Sequence, residues 1–119
     1  MGFADYTSFM ATDQYIKAHP DVLQAWTNAI ARAQKWTDKA AVPEIVDAIK
    51  QFFPAVNPKA LTAAAQRYQK LKIWKDTPVI EPKAIEKFQD ILVHGHVLDA
   101  AKRVKFQDLV LTEYASKAK

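Results

Sequence analysis

The chain has 119 residues, of which 50% are hydrophobic and 25% charged, and its formal net charge is +4 at pH 7. These values are typical of one globular domain with a small core. No cysteine is present, which excludes disulfides, thiolate nucleophiles and zinc-thiolate sites. Because the 17 Lys and Arg residues are scattered singly, we expect solvated faces and no nucleic-acid partner.

The first forty residues predict one strand and two helices. Tyr6–Met10 is short, rich in aromatic and β-branched residues, and predicts a strand. Thr12 is a suitable cap for a helix over Asp13–Ala18, which ends before Pro20 because a residue preceding proline disfavours helical geometry. A long helix then begins at Pro20. Its apolar residues recur at three- and four-residue steps and form one predicted stripe: Val22, Trp26, Ile30, Ala33 and Trp36.

Three further helices are predicted to begin at prolines. One runs from Pro43 to Phe53, and the next is capped by Asn57 and begins at Pro58. After an extended connection over 74–81, the last runs from Pro82 to His94. Gly95 is predicted to close it in the left-handed conformation. The Pro58 helix places five residues on a predicted apolar side, Leu61, Ala64, Ala65, Tyr68 and Leu71, and an exposed side with Lys59, Gln66, Arg67 and Lys70.

The predicted fold class is therefore mainly α, with about five to six helices and one short N-terminal strand. A short apolar segment over 97–98 and 106–114 and a polar tail complete the chain. The helices differ in length and sequence, and no low-complexity linker separates them. We therefore expect residues 1–119 to form a single unit.

His94-Gly95-His96 is the strongest candidate for a metal site. Two imidazoles this close in sequence can share an ion, but His19 is distant in sequence and there is no cysteine to complete a ligand set. A histidine followed by a glycine is also common at the C-terminus of a helix, where glycine can cap it. We therefore expect no metal and no cofactor.

No catalytic site is predicted either. The carboxylates occur singly among lysines, without the spacing of an acid/base pair: Asp13, Asp47, Glu81 and Glu86. The two glycines are too few for a phosphate-binding loop. We therefore expect the chain not to be an enzyme and assign no catalytic residue.

The aromatic side chains are the remaining candidates for a binding surface. Trp26, Trp36, Trp74 and Tyr68 could line a pocket or stack on bases. Trp26 and Trp36 lie on the apolar stripe of the long helix, so we expect them in the core. On that interpretation they are not available to nucleic acid.

Several segments, in this order and spacing, resemble the C-terminal stretch of the periplasmic solute-binding proteins of nitrate, sulfonate and taurine importers. They are Trp36-Thr37, Phe52-Phe53-Pro54, 61–68, 74–80, Phe88-Gln89-Asp90-Ile91-Leu92 and 104–110. The last departs from the family at Gln107, where an acidic residue is expected. The resemblance covers residues 6–114, although such proteins are two to three times longer than this chain.

The resemblance implies a two-lobe α/β protein of the type II periplasmic-binding-protein-like fold, of which this chain is the C-terminal helical region. That protein binds a small anionic solute, such as an aliphatic sulfonate, taurine or nitrate, outside the cytoplasm and delivers it to an ABC permease in the membrane. The family's ligand groups come largely from earlier segments, so we assign no ligand-binding residue. Tyr6 and Thr7 lie nearest the implied hinge, and neither is assigned as a contact.

Two other functions remain open. A free-standing helical protein–protein interaction module needs only amphipathic helices. Thiamine-pyrimidine synthases share the implied fold, but their cysteine-containing motif is absent here. The N-terminal residues lack the pattern of a secretory signal, so we expect any export signal outside this chain. Helices that should cover an absent sheet would leave apolar surface exposed, so we expect the isolated chain to form homo-oligomers.

Overall fold

Helices dominate the part of the chain that the structure describes. The computed structural model describes Ala4 and residues 7–119, and helices make up 65% of it. The prediction of a mainly α chain is therefore confirmed. In order, the α-helices are α1 (Asp13–Ala18), α2 (Pro20–Lys39), α3 (Val42–Ile49), α4 (Pro58–Lys70), α5 (Pro82–His94), α6 (Phe106–Leu109) and α7 (Glu113–Ser116), with 3-10 helices at Lys50–Phe52 and Ala100–Lys102.

The helix starts follow the local rules that predicted them. The Thr12 hydroxyl accepts a hydrogen bond from the Tyr15 N–H at 3.3 Å, and the Asn57 side chain accepts one from the Lys59 N–H at 2.9 Å. Each bond satisfies an N–H that the helix itself leaves without a partner. α2, α4 and α5 each begin at a proline, as predicted.

The predicted strand over Tyr6–Met10 is wrong over its described residues. Thr7–Met10 has no strand structure, and Phe9 and Met10 are 70% and 93% exposed. Tyr6 lies outside the described residues. A strand needs a neighbour to complete its hydrogen bonds, and the described part of the chain contains no strand to pair with it.

The prediction for Gly95 is also wrong, by one residue. Gly95 has φ −79°, and His96 takes the left-handed position with φ 56°. The His96 N–H donates to the Val93 carbonyl at 3.0 Å and the Val97 N–H donates to the Leu92 carbonyl at 2.9 Å. These two bonds form a Schellman motif, whose register places the left-handed residue at His96.

The chain divides into two compact units. Unit 1 contains the described residues up to Ala25 together with Val79–Ala118, and unit 2 contains Trp26–Pro78 together with Lys119. The prediction that residues 1–119 form a single unit, the C-terminal helical region of a longer two-lobe protein, stays a prediction.

Unit 2 has a small core between α3 and α4. Ile45 of α3 and Ala65 of α4 are 2% and 3% exposed and meet Ala40. Around these three residues lie partly buried side chains of 42–49 and Trp74. Burying apolar surface between the two helices supplies the main stabilisation of this unit.

In unit 1, a buried glutamine of α5 forms hydrogen bonds to the backbone of the segment before α6. Gln89 is 7% exposed. Its side-chain amide donates to the Val104 carbonyl at 3.1 Å and its side-chain oxygen accepts from the Val104 N–H at 2.8 Å. Both polar ends of a buried glutamine are thus satisfied, and the segment before α6 is held against α5.

No helix among the described residues combines the length and the apolar character needed to cross a bilayer.

Candidate functional site: an apolar groove on α4

A shallow, open depression in the described chain lies on the outer side of α4, within unit 2. Its volume is about 560 Å³, and it is lined by Ala63, Ala64, Arg67, Tyr68, Leu71 and Ile73. We call this surface the α4 groove. Its large side chains are about half exposed: Tyr68 43%, Leu71 52% and Ile73 50%.

The packing of α4 explains where the groove lies. Leu61 and Ala65 are 9% and 3% exposed and form a narrow buried stripe on the helix. Most of the rest of its circumference, including Ala63, Ala64 and Arg67, is exposed. Ala63 and Ala64 have short side chains, so they leave a depression between the bulkier residues nearer the end of the helix.

The end of α4 forms the groove's wall. Lys72 adopts φ 52°, and the Ile73 N–H donates to the Tyr68 carbonyl at 3.1 Å. This is again a Schellman motif, which reverses the chain and returns Ile73 to the last turn of the helix. The Tyr68 ring meets Trp74 edge-to-face at a centroid distance of 5.6 Å, which fixes Tyr68 at the rim.

The charge of α4 is entirely positive. The helix sequence contains Lys59, Arg67 and Lys70 and no acidic residue. Just beyond it, the Lys72 ammonium is 2.7 Å from Asp38, and this carboxylate raises the pKa of Lys72. Among the described residues Arg67 forms no ion pair, so its guanidinium is available to an acidic group at the groove.

The groove suits an apolar polypeptide segment better than a small hydrophilic anion. A buried anion needs several hydrogen-bond donors, whereas five of the six lining residues are alanine, leucine, isoleucine or tyrosine. Aliphatic and aromatic side chains would gain from burial there. The groove therefore has the character of a docking surface.

The sequence assigned several of these residues to the wrong side. Ala64, Tyr68 and Leu71 were predicted on the apolar side with Leu61 and Ala65, but they are exposed. The run Ala63-Ala64-Ala65 could have indicated this exposure. It makes α4 apolar around more of its circumference than one buried stripe covers.

The predicted core position of two tryptophans is also wrong. Trp26 and Trp36 are 52% and 45% exposed, whereas α2 buries Ala31. The buried residue of α2 is thus a small one, and the two large aromatic side chains are partly exposed. The argument against nucleic acid that used buried aromatics therefore fails. The absence of a nucleic-acid partner stays a prediction based on the scattered basic residues.

The remaining candidates do not come together in a site. His94 Nδ1 lies 2.8 Å from the Asp90 backbone oxygen, His96 is exposed, and no three His, Asp or Glu side chains among the described residues are placed to hold a metal ion. Asp47 pairs with Lys50. Thr7 is exposed, Tyr6 lies outside the described residues, and the other three acidic candidates, Asp13, Glu81 and Glu86, are exposed.

Comparison with known proteins finds one informative relative. The chain is 32% identical over 116 residues to a protein of Bacillus subtilis (strain 168) named "Putative binding protein YtlA". The match covers 98% of this chain and 34% of the Bacillus protein, so the chain spans about a third of the length of that relative. No family model matches, and no solved structure matches. The similarity agrees with a binding protein and leaves the nitrate, sulfonate and taurine group without further support.

Proposed function

We propose that this chain is the C-terminal helical part of the solute-binding component of an ABC importer. The observation that carries the proposal is the match of nearly the whole chain to a third of a longer protein named as a binding protein. The segments between 36 and 110 that resemble the solute-binding proteins of nitrate, sulfonate and taurine importers support the same assignment.

In this proposal the full-length protein has the type II periplasmic-binding-protein-like fold and acts outside the cytoplasmic membrane. Its two lobes close on a small anion, such as an aliphatic sulfonate, taurine or nitrate, and present it to an ABC permease. No bond is made or broken, so the function is binding and not catalysis. The donors that hold the anion belong to the part of the protein beyond this chain, and the helices described here support the lobe they pack on.

The test is a chimera in which this chain replaces the matched third of the Bacillus subtilis protein. The chimera, the intact Bacillus protein and the isolated chain are each titrated with taurine, methanesulfonate and nitrate, and binding is followed by thermal unfolding and calorimetry. We expect the chimera and the Bacillus protein to be stabilised by the same anion, by about 2.7 kcal/mol at a hundredfold excess over Kd. We expect no response from the isolated chain.

Two results would contradict the proposal in different ways. If the Bacillus protein binds an anion and a folded chimera does not, this chain is not the equivalent of the part it replaced. If neither protein binds any of the three anions, the assigned solute class is wrong.

The α4 groove favours one alternative, a free-standing helical interaction module. Such a module needs an exposed apolar surface on a chain that folds alone. It would unfold cooperatively as a monomer, with the denaturant dependence of a compact protein of its mass. In the chimera this chain would then behave as a linked, independently folding domain and would not restore anion binding.

A further inference from the structure

We draw no further inference here: the strongest candidate, the exposed apolar face of α2 formed by Trp26, Ala29, Ala33 and Trp36, carries nothing because nothing in the structure shows what covers it.

Discussion

Two residues other than glycine adopt the left-handed conformation at the ends of α4 and α5. Lys72 and His96 occupy left-handed positions with φ 52° and 56°, where a side chain is disfavoured by about 1 kcal/mol or more. Lys72 offsets part of this through its ion pair with Asp38 at 2.7 Å. Since the Lys72 side chain is 67% exposed, solvent screening keeps that contribution small.

The opposing effects at Lys72 can be separated by two substitutions. Lys72→Ala removes the ion pair and keeps the strain, whereas Lys72→Gly removes both. We therefore expect the glycine variant to have a free energy of unfolding about 0.5–1 kcal/mol higher than the alanine variant, after the greater chain entropy of unfolded glycine is included. Urea unfolding followed by circular dichroism measures the difference. An alanine variant as stable as the glycine variant would mean that the backbone there is not left-handed.

The same ion pair gives a defined pH dependence. The hydrogen bond to Asp38, followed by its charge, raises the pKa of Lys72 above 10.5. The folded state therefore holds this proton more tightly, and the stabilisation is complete below the unfolded pKa and lost as pH rises through the folded one. The stability difference between the parent chain and Lys72→Ala should be constant between about pH 7 and 9 and should shrink above about pH 10.5. A difference that grows with alkaline pH would contradict the pairing.

At the scale of elements, Gln69 joins the end of α2 to α4. Its side-chain amide donates to the carbonyl of Thr37 at 3.2 Å and to that of Ala40 at 2.9 Å. Carbonyls at a helix end have no partner within the helix. One glutamine on α4 thus caps the preceding long helix and fixes the spacing of the two elements.

Replacing Gln69 should therefore destabilise unit 2 more than replacing its exposed neighbour. Gln69→Leu leaves two partly buried carbonyls without their donor, and we expect a loss of about 1–3 kcal/mol in the free energy of unfolding. Gln66→Leu is the control, because Gln66 is exposed on the same helix and surface changes are usually within about 0.5 kcal/mol. Chemical denaturation of both variants measures their free energies of unfolding. Equal values would show that the two carbonyls form hydrogen bonds to water when Gln69 is replaced.

The elements were predictable from sequence, whereas their buried sides were not. Helix starts depend on one cap and one proline, which are local signals, and Thr12, Asn57, Pro58 and Pro82 are where they were expected. Periodicity identifies an apolar stripe but not the partner that covers it. Tyr68 was therefore placed on the apolar side of α4, although it is 43% exposed in this chain.

At the scale of the whole molecule, the small size of the described core limits how strongly the chain can respond to denaturant. A compact monomer of 13.4 kDa buries about two thirds of the surface that its unfolded chain exposes. In the described part of this chain, four of the six buried apolar residues are alanines, and each alanine buries little surface.

The denaturant dependence of unfolding, m, scales with the surface exposed on unfolding. We therefore expect the isolated chain to unfold in urea with an m value below that of a compact 119-residue protein. Repeating the measurement over a range of protein concentrations controls for self-association, since an oligomer would become more resistant to urea as concentration rises. A full m value at every concentration would mean that the chain folds by itself as a compact monomer. That result would favour the free-standing interaction module, because such a module folds without a larger protein.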